Sequence, residues 1–317
     1  MRMKRALLIR LGGLGDLLVA LPSINFLRKK YPSASLTLIC REEYGQILKE
    51  TGVVDDVISG GQARLSPLFA EPLCLDSNLS QWLAGFSLIL GWMQQERGLR
   101  LEEFCLSLGV EKCRFFVHKA DASGPISKFF FEKTAESLSN DDLPSPAFDE
   151  CAFLPLTMTQ REEGIRLLGR KEAKVKKKIV IVHPGSGSES KCWPFENFLE
   201  IISKLKSKEL EGALVTGEAE ERLGINIKNL PLPEGWVWLH NPSLVKLAGL
   251  LQAATLYLGN DSGVTHLAAA CGTHIVALFR KDLEAQWRPY GRVFLLSARS
   301  VSQISSESVW EKISELL

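Results

Sequence analysis

Residues 256–279 read LYLGNDSGVTHLAAACGTHIVALF, and this stretch decides the fold class. The apolar run Leu256–Gly259 has the length of a buried strand, and a polar turn follows it. Small and apolar residues over Gly263–Ala270 favour a helix, and His274–Phe279 is a second apolar run. A strand, a short helix and another strand form the repeating unit of a parallel sheet with crossover helices.

The same alternation continues through the rest of the second half of the chain. Predicted strands before this stretch are Ile179–His183, Ala213–Thr216 and Trp236–His240. Predicted helices begin at Pro194 or cover Ala219–Asn229, Ser243–Ala254 and, at the C-terminus, Ser305–Leu317. The second half therefore holds a full set of parallel strands with crossover helices.

The first half carries another set, which is clearest at its start. Apolar runs predict strands at Ala6–Arg10, Leu36–Cys40, Val53–Ile58 and Phe86–Leu90, and helices follow from Asp16, over Tyr44–Glu50 and over Leu101–Gly109. Two sets indicate an α/β protein with two Rossmann-like domains, whose parallel sheets we expect to face each other across a cleft. The predicted division is an N-terminal domain over residues 1–160, a C-terminal domain over 172–300 and a terminal helix over 301–317.

The composition is that of an ordinary folded protein. Of the 317 residues, 45% are hydrophobic and 24% charged, and the net charge is +1, which excludes general disorder and argues against a nucleic-acid-binding protein. No apolar run approaches the ~20 residues of a transmembrane helix, and Arg10 and Asp16 interrupt the N-terminal apolar stretch where a signal peptide has no charge. The seven cysteines form no CxxC pair, so we expect reduced thiols in a cytoplasmic protein.

The first strand-to-helix junction, Arg10–Asp16, reads RLGGLGD. Gly12, Gly13 and Gly15 permit a tight turn in front of a helix whose first N–H groups can bind a polar ligand. Their spacing does not match the dinucleotide fingerprint G-x-G-x-x-G, which argues against a nicotinamide or flavin site. Taken alone, Asp16 is favoured as the N-cap of the helix.

The second junction, His183–Pro194, reads HPGSGSESKCWP. Its small residues allow backbone amides and hydroxyl groups to approach a phosphate, and Lys191 adds a positive charge. No G-K-[ST] sequence closes the loop, so it is not a Walker A element. A phosphate site and a polar surface turn with an exposed lysine both remain open here.

Two further junctions follow strands of the second half. TGEAEE, at Thr216–Glu221, has carboxylates that could accept hydrogen bonds from a ribose, although an acidic first helical turn is the simpler interpretation. NDSGVTH, at Asn260–His266, opens a helix whose leading amides suit a diphosphate. His266 is expected to brace this loop or to bind the ligand.

Together, the four junctions resemble one family, the glycosyltransferase family 9 heptosyltransferases of lipopolysaccharide assembly. The resemblance rests on R-x-x-x-x-G-D at Arg10–Asp16 with Leu21–Pro22, then P-G-S…K-x-W-P, T-G-x-x-E and N-D-S-G-x-x-H, in this order. It implies a GT-B fold whose N-terminal half binds the acceptor and whose C-terminal half binds ADP-L-glycero-D-manno-heptose. The implied transfer inverts the anomeric centre and needs no metal ion or other cofactor.

The resemblance also implies roles for individual residues. Asp16 would be the general base, and Glu220, or Glu218 in its place, the ribose ligand. Residues implied to hold the donor diphosphate are Ser186, Gly187, Lys191, Ser262 and Gly263. Residues implied to shape or support these loops are Gly12, Gly13, Gly15, His183, Asp261 and His266.

The implied partners are a nucleotide-sugar donor, ADP-heptose in this family, and a lipid A–core or related glycan acceptor, with no nucleic acid. A peripheral contact with the inner membrane is compatible with such an acceptor. Three alternatives remain open at this point. They are a GT-B transferase for another nucleotide sugar, a non-catalytic binder of sugar nucleotides, and a nicotinamide- or flavin-binding Rossmann oxidoreductase.

Overall fold

The computed structural model describes residues 3–70, 73, 75–93, 97–117, 124–139, 143–170, 177–206, 210–222 and 232–317. The chain forms two compact units, Met1–Pro155 and Leu156–Leu317, and each contains one parallel β-sheet. The second unit begins at Leu156, ahead of residue 172, from which the sequence predicts the C-terminal domain.

The early start of the second unit follows from a close helix contact. α7, Met158–Arg166, packs on α10, Leu244–Ala253, with a glycine from each helix at the contact. A Cβ atom on Gly164 would lie 2.1 Å from a backbone nitrogen of α10, and one on Gly249 would lie 2.0 Å from a backbone oxygen of α7. Residues without a Cβ atom allow the two backbones to approach this closely.

The first unit has a five-stranded sheet in the order β3-β2-β1-β4-β5. The strands are β1 Arg5–Ile9, β2 Ser35–Cys40, β3 Asp56–Ser59, β4 Leu88–Met93 and β5 Lys112–Val117. The helices are α1 Leu14–Lys30, α2 Glu42–Glu50, α3 Ser77–Ala84, α4 Arg97–Ser107, α5 Ile126–Ser137 and α6 Phe148–Cys151, with a 3-10 helix at Ala63–Phe69. The strand order reverses between β1 and β4, which is where open parallel sheets bind ligands.

The second unit has a six-stranded sheet in the order β11-β10-β9-β6-β7-β8. The strands are β6 Lys178–His183, β7 Leu210–Thr216, β8 Trp236–His240, β9 Leu256–Asn260, β10 Ile275–Arg280 and β11 Val293–Ala298. Besides α7 and α10, the helices are α8 Phe195–Lys204, α9 Glu218–Arg222, α11 Gly263–Ala270, α12 Lys281–Trp287 and α13 Ser306–Leu316, with 3-10 helices at Glu189–Lys191 and Val301–Gln303. Here the order reverses between β6 and β9.

The central strands of both sheets are buried on both faces. Residues Ala6–Ile9 of β1 and Leu256–Leu258 of β9 are fully buried. Continuous apolar strands are expected where helices cover both faces of a parallel sheet. The terminal helix α13 packs Val309 and Ile313 into the same core as β6 and β10, so it is an integral part of the second unit.

Several predicted elements are confirmed, and two of them begin and end at the residues that the sequence predicts. These are the strand Trp236–His240 and the helix Gly263–Ala270. Of the helix predicted over Ala219–Asn229, residues 223–229 lie outside the described residues, and α9 forms its start. In the described part of the chain, no helix is both long and apolar enough to cross a membrane.

Candidate active site

The carboxylate of Asp16 lies just beyond the central strand of the first unit. α1 begins at Leu14, so Asp16 is the third helical residue and Gly13 is the N-cap. Oδ2 of Asp16 accepts a hydrogen bond of 2.9 Å from the backbone N–H of Gly13, as the acid of a capping box does. The N-cap interpretation of Asp16 is therefore wrong, although its carboxylate does stabilise the start of the helix.

Arg10, which directly follows β1, holds the other side of this carboxylate. Its guanidinium donates to Oδ1 of Asp16 at 2.8 Å, to the backbone oxygen of Asp16 at 2.7 Å and to that of Trp92 at 2.7 Å. Arg10 is buried; burial lowers its pKa, and the Asp16 carboxylate opposes that shift. Arg10 belongs to the sequence motif, but its role depends on an acceptor in β4 that local spacing does not reveal.

The glycine turn leaves room for the Asp16 carboxylate. Gly12 has a φ of +120°, and a Cβ atom there would lie 2.6 Å from Oδ2 of Asp16. Both features require glycine. Gly15 lies in the first turn of α1. The Asp16 side chain is 25% exposed, and a carboxylate can accept about four hydrogen bonds, so it can still accept one from a ligand.

In the second unit, a buried asparagine fixes the loop that follows β6. The side-chain oxygen of Asn260 accepts from the backbone N–H of Trp193 at 3.0 Å, and its nitrogen donates to the carbonyl oxygen of Pro184 at 2.6 Å. Asn260 is fully buried at the end of β9. The loop is thus tied at both ends to the neighbouring strand. The place of Asn260 at the head of the N-D-S-G motif is the sequence signal that could have revealed this role.

Ser186 and Lys191 both reach the next residue, Asp261. Oγ of Ser186 donates to the backbone oxygen of Asp261 at 2.6 Å, and Nζ of Lys191 lies 2.7 Å from Oδ2 of Asp261. A serine hydroxyl has a single hydrogen to donate, so the structure places Ser186 as a link between the loops after β6 and β9. The Lys191 side chain keeps 28% of its surface exposed beside these loops.

α11 begins next to this ion pair. Ser262 is its N-cap, with Oγ accepting from the N–H of Thr265 at 3.3 Å, and Gly263 is the first helical residue. The first N–H groups of a helix have no partner inside the helix and favour an anion. In the loop after β6, a Cβ atom on Gly187 would meet nothing within 4 Å, so the backbone there borders open space.

His183 and Glu220 form a buried pair at the end of β6 and in α9. Nε2 of His183 lies 3.4 Å from Oε1 of Glu220, while Oε2 accepts a 2.7 Å hydrogen bond from the backbone N–H of Gly217. Burial lowers the pKa of His183 and the Glu220 carboxylate opposes that shift, so the imidazole is neutral at pH 7. Glu220 is 1% exposed, whereas Glu218 is exposed.

Two further contacts join these loops. A Cβ atom on Gly185 would lie 2.1 Å from Oε1 of Glu220, so the chain covers this carboxylate closely. Nδ1 of His183 lies 3.4 Å from Oγ of Ser262. The loops after β6, β7 and β9 therefore meet at the carboxyl edge of the second sheet. Every candidate residue of this unit lies at the end of one of these strands, in the loop that follows it or in the helix after that loop, whereas Asp16 belongs to the first unit.

His266 lies within α11 and is buried. Its backbone N–H donates to the backbone oxygen of Ser262 at 3.3 Å, in the first turn of the helix. This position suits a residue that braces the loop. Over the described ranges, no group of three or more histidine, cysteine, aspartate or glutamate side chains is placed to hold a metal ion.

The second unit lies largely within a family match. Residues 147–307 match glycosyltransferase family 9 (heptosyltransferase), which is just over half of the 317 residues. The chain belongs to glycosyltransferase family 9. The resemblance seen in the four junctions is thereby confirmed. Because this is a family of transferases, the alternative of a nicotinamide- or flavin-binding oxidoreductase is set aside.

Named relatives and solved structures agree with this family. The lipopolysaccharide heptosyltransferase 3 of Escherichia coli is 24% identical over 293 residues, covering 87% of this chain and 83% of the relative. The family 9 glycosyltransferase structure from Veillonella parvula has a TM-score of 0.74 at 16% identity, covering 100% of this chain and 98% of the other. The structure of Escherichia coli ADP-heptose lipopolysaccharide heptosyltransferase II has a TM-score of 0.71 at 15% identity, covering 98% of each chain. These likenesses show the GT-B fold that the resemblance implied.

The second sheet of this family 9 chain thus presents an edge suited to an anion. Lys191 supplies a partly exposed cation, and the start of α11 supplies backbone amides beside it. The buried carboxylate of Glu220 lies in α9, which follows the neighbouring strand β7. A cation, helix amides and a carboxylate together can bind a nucleoside diphosphate through its phosphates and its ribose. The first unit presents one positioned carboxylate, Asp16, which can accept a proton.

Proposed function

We propose that this chain transfers a heptose from ADP-L-glycero-D-manno-heptose to a sugar of the lipopolysaccharide core, with inversion and without a bound metal ion. The observation that carries the proposal is the convergence of Lys191, the start of α11 and Glu220 at one edge of the second sheet. Membership of the heptosyltransferase family supports the reaction. The names of the Escherichia coli proteins support the donor and the kind of acceptor.

The donor nucleotide is assigned to the second unit. Glu220 accepts hydrogen bonds from the ribose hydroxyl groups through Oε1. This atom lies 3.4 Å from Nε2 of His183, a distance that is long for a hydrogen bond. Because Glu220 is 1% exposed, the segment at Gly185 shifts when the ribose binds. The diphosphate lies against the amides of Gly187 and of the α11 start, and Lys191 donates to it. Ser186 acts indirectly, through its hydrogen bond to Asp261.

The acceptor hydroxyl is assigned to Asp16. As the acceptor oxygen attacks the anomeric carbon, the bond between that carbon and the β-phosphate oxygen breaks, and ADP leaves with the electron pair. The hydroxyl proton passes to the carboxylate of Asp16, which acts as a general base. Attack on the face opposite the leaving group gives inversion. Arg10 is a positioning residue, because its hydrogen bonds orient the carboxylate but leave part of it exposed.

Residues of the chain itself stabilise the negative charge on the departing ADP. Lys191 and the first amides of α11 are aimed at the place where negative charge develops, and fixed donors of this kind stabilise a leaving group without rearranging. This arrangement supports a metal-independent reaction. Asp261 and Ser186 fix the loop after β6 against the loop after β9, so that Lys191 and the first amides of α11 act on the same departing diphosphate.

The deciding experiment combines nucleotide binding with product analysis. Calorimetry should show binding of ADP in preference to GDP and UDP. Incubation with ADP-heptose and a heptose-deficient core acceptor should give a product one heptose larger, with the anomeric configuration inverted by NMR and with the rate unchanged by a chelator. Preference for GDP or UDP contradicts the proposed donor. A retained configuration contradicts the role of Asp16, and loss of turnover with the chelator contradicts the metal-free scheme.

A further inference from the structure

Arg280 ends β10 and reaches the loop that follows β6. Its Nη1 lies 3.4 Å from Oγ of Ser190, a residue 90 positions earlier in the chain, and Ser190 directly precedes Lys191. We infer that Arg280 is a second cationic ligand of the donor diphosphate, bound to the phosphate that carries the sugar. The inference rests on the proposed function, and Arg280 lies outside the four sequence motifs.

A carboxylate holds the Arg280 guanidinium in a fixed orientation. Nε and Nη2 donate to the two oxygens of Asp282 at 3.1 and 2.6 Å, which is the bidentate geometry that arginine forms with carboxylates. The Arg280 side chain is 33% exposed. Since a guanidinium has five N–H donors, Arg280 can donate to a phosphate oxygen while both bonds to Asp282 are kept.

The same carboxylate lies near both Arg280 and Lys191. The pKa of Asp282 is below its ordinary value, first because of the hydrogen bond from Arg280 and also because of the positive charges of Arg280 and Lys191. Nζ of Lys191 in turn lies 6.0 Å from the ring of Trp287, the last residue of α12. Arg280 at the end of β10 and Lys191 in the loop after β6 therefore lie close to each other at this edge, and a ligand with two charged phosphates can bind both.

The order of the strands indicates which phosphate Arg280 contacts. Glu220 follows β7 and Arg280 ends β10, while β6 and β9, which carry the other proposed phosphate contacts, lie between them. Adjacent strands are about 4.8 Å apart, so the ends of β7 and β10 are separated by roughly 14 Å. A nucleotide with its ribose at Glu220 and its phosphates at β6 and β9 therefore directs its terminal phosphate towards β10.

The test compares ADP with AMP, which lacks the terminal phosphate, by calorimetry on the full chain. In Arg280→Gln we expect ADP binding to weaken about tenfold to a hundredfold, as for the loss of a charge-assisted hydrogen bond. AMP binding should stay nearly unchanged. Lys281→Gln is the matched control, because this neighbouring lysine carries the same charge, is 70% exposed and pairs with Glu284; it should bind ADP like the wild type.

A second variant and the control distinguish the outcomes. Arg280→Lys keeps the positive charge but loses the planar guanidinium with its several N–H donors. Its ADP affinity should therefore lie between those of Arg280→Gln and the wild type. Unchanged ADP affinity in Arg280→Gln, equal weakening of ADP and AMP, or an equal loss in Lys281→Gln overturns the inference. If the wild type binds ADP, the proposed function survives such a result. If the wild type fails to bind ADP, the proposed function and this inference are overturned together.

Discussion

Lys191 and Asp261 place opposite charges 2.7 Å apart, although they belong to loops that follow different strands. The Asp261 side chain is 5% exposed, so its charge depends on the lysine for compensation, and an unpaired charge at such a position is costly. In the proposed complex the same lysine also meets the donor diphosphate. Lys191 therefore has a structural role and a binding role that experiments can separate.

Replacing Lys191 by Met should affect both roles. We expect the free energy of unfolding to fall by about 1–3 kcal/mol, because Asp261 is left unpaired. We also expect ADP to bind about tenfold to a hundredfold more weakly. In the double variant with Asp261→Asn, urea unfolding should recover whereas ADP binding should not. Recovery of ADP affinity in the double variant would mean that Lys191 acts only by compensating Asp261.

Replacing Asp16 by Asn should slow the chemistry and spare the donor site. Without the general base we expect turnover to fall about 10²–10⁴-fold, while ADP affinity, measured by calorimetry, stays that of the wild type. The amide oxygen of Asn can still accept the hydrogen bond from Gly13, so the helix start is retained. Normal turnover in this variant would show that Asp16 serves only the capping contact and the ion pair with Arg10.

Gly185 and Gly187 form a matched pair for testing the loop after β6. A methyl group on Gly185 collides with Glu220, whereas one on Gly187 enters open space. We expect Gly185→Ala to cost about 1–3 kcal/mol of unfolding free energy and to weaken ADP binding. Gly187→Ala should leave stability unchanged and still weaken ADP binding, because the methyl group occupies the position proposed for phosphate. Unaltered ADP affinity in Gly187→Ala would remove this backbone from the site.

The buried His183 should make stability depend on pH. Its folded pKa is lowered by burial, so below the ordinary value of about 6.5 the unfolded chain binds the extra proton and unfolding is favoured. Stability should then fall by up to about 1.4 kcal/mol per pH unit below pH 6.5, an effect that Glu220 partly offsets. His183→Gln should show a smaller loss between pH 7.5 and 5.5 in urea titrations. Equal slopes in the two proteins would refute a neutral buried imidazole.

Much of the fold could be predicted because buried parallel strands are continuous apolar runs. Among the elements without a prediction, β11 does carry an apolar run, Val293–Ala298, whereas α5 and β5 carry no clear signal. In α5, the consecutive rings Phe129–Phe131 obscure the helical spacing of the buried residues Ile126, Phe130 and Thr134. In β5, an edge strand, buried and exposed residues alternate over a short distance. Local pattern was insufficient where packing against a neighbour decided the structure.

The loops of the site could be predicted, but the contacts inside them could not. Small and polar residues after strands mark the loops in the sequence. The partners, however, lie far apart: Asn260 and Trp193 are separated by 67 positions, and Arg10 and Trp92 by 82. Such pairs depend on which strands are neighbours in the sheet, and no single sequence motif indicates the order of the strands.

The two hydrogen bonds of Asn260 also bear on how the chain would select its ligand. Since they anchor both ends of one loop before any ligand arrives, little conformational entropy remains to be lost there on association. Discrimination among anions would then come from the fit of a rigid, pre-organised cradle. Apart from the shift proposed at Gly185, no part of this loop would have to fold around the anion that is present.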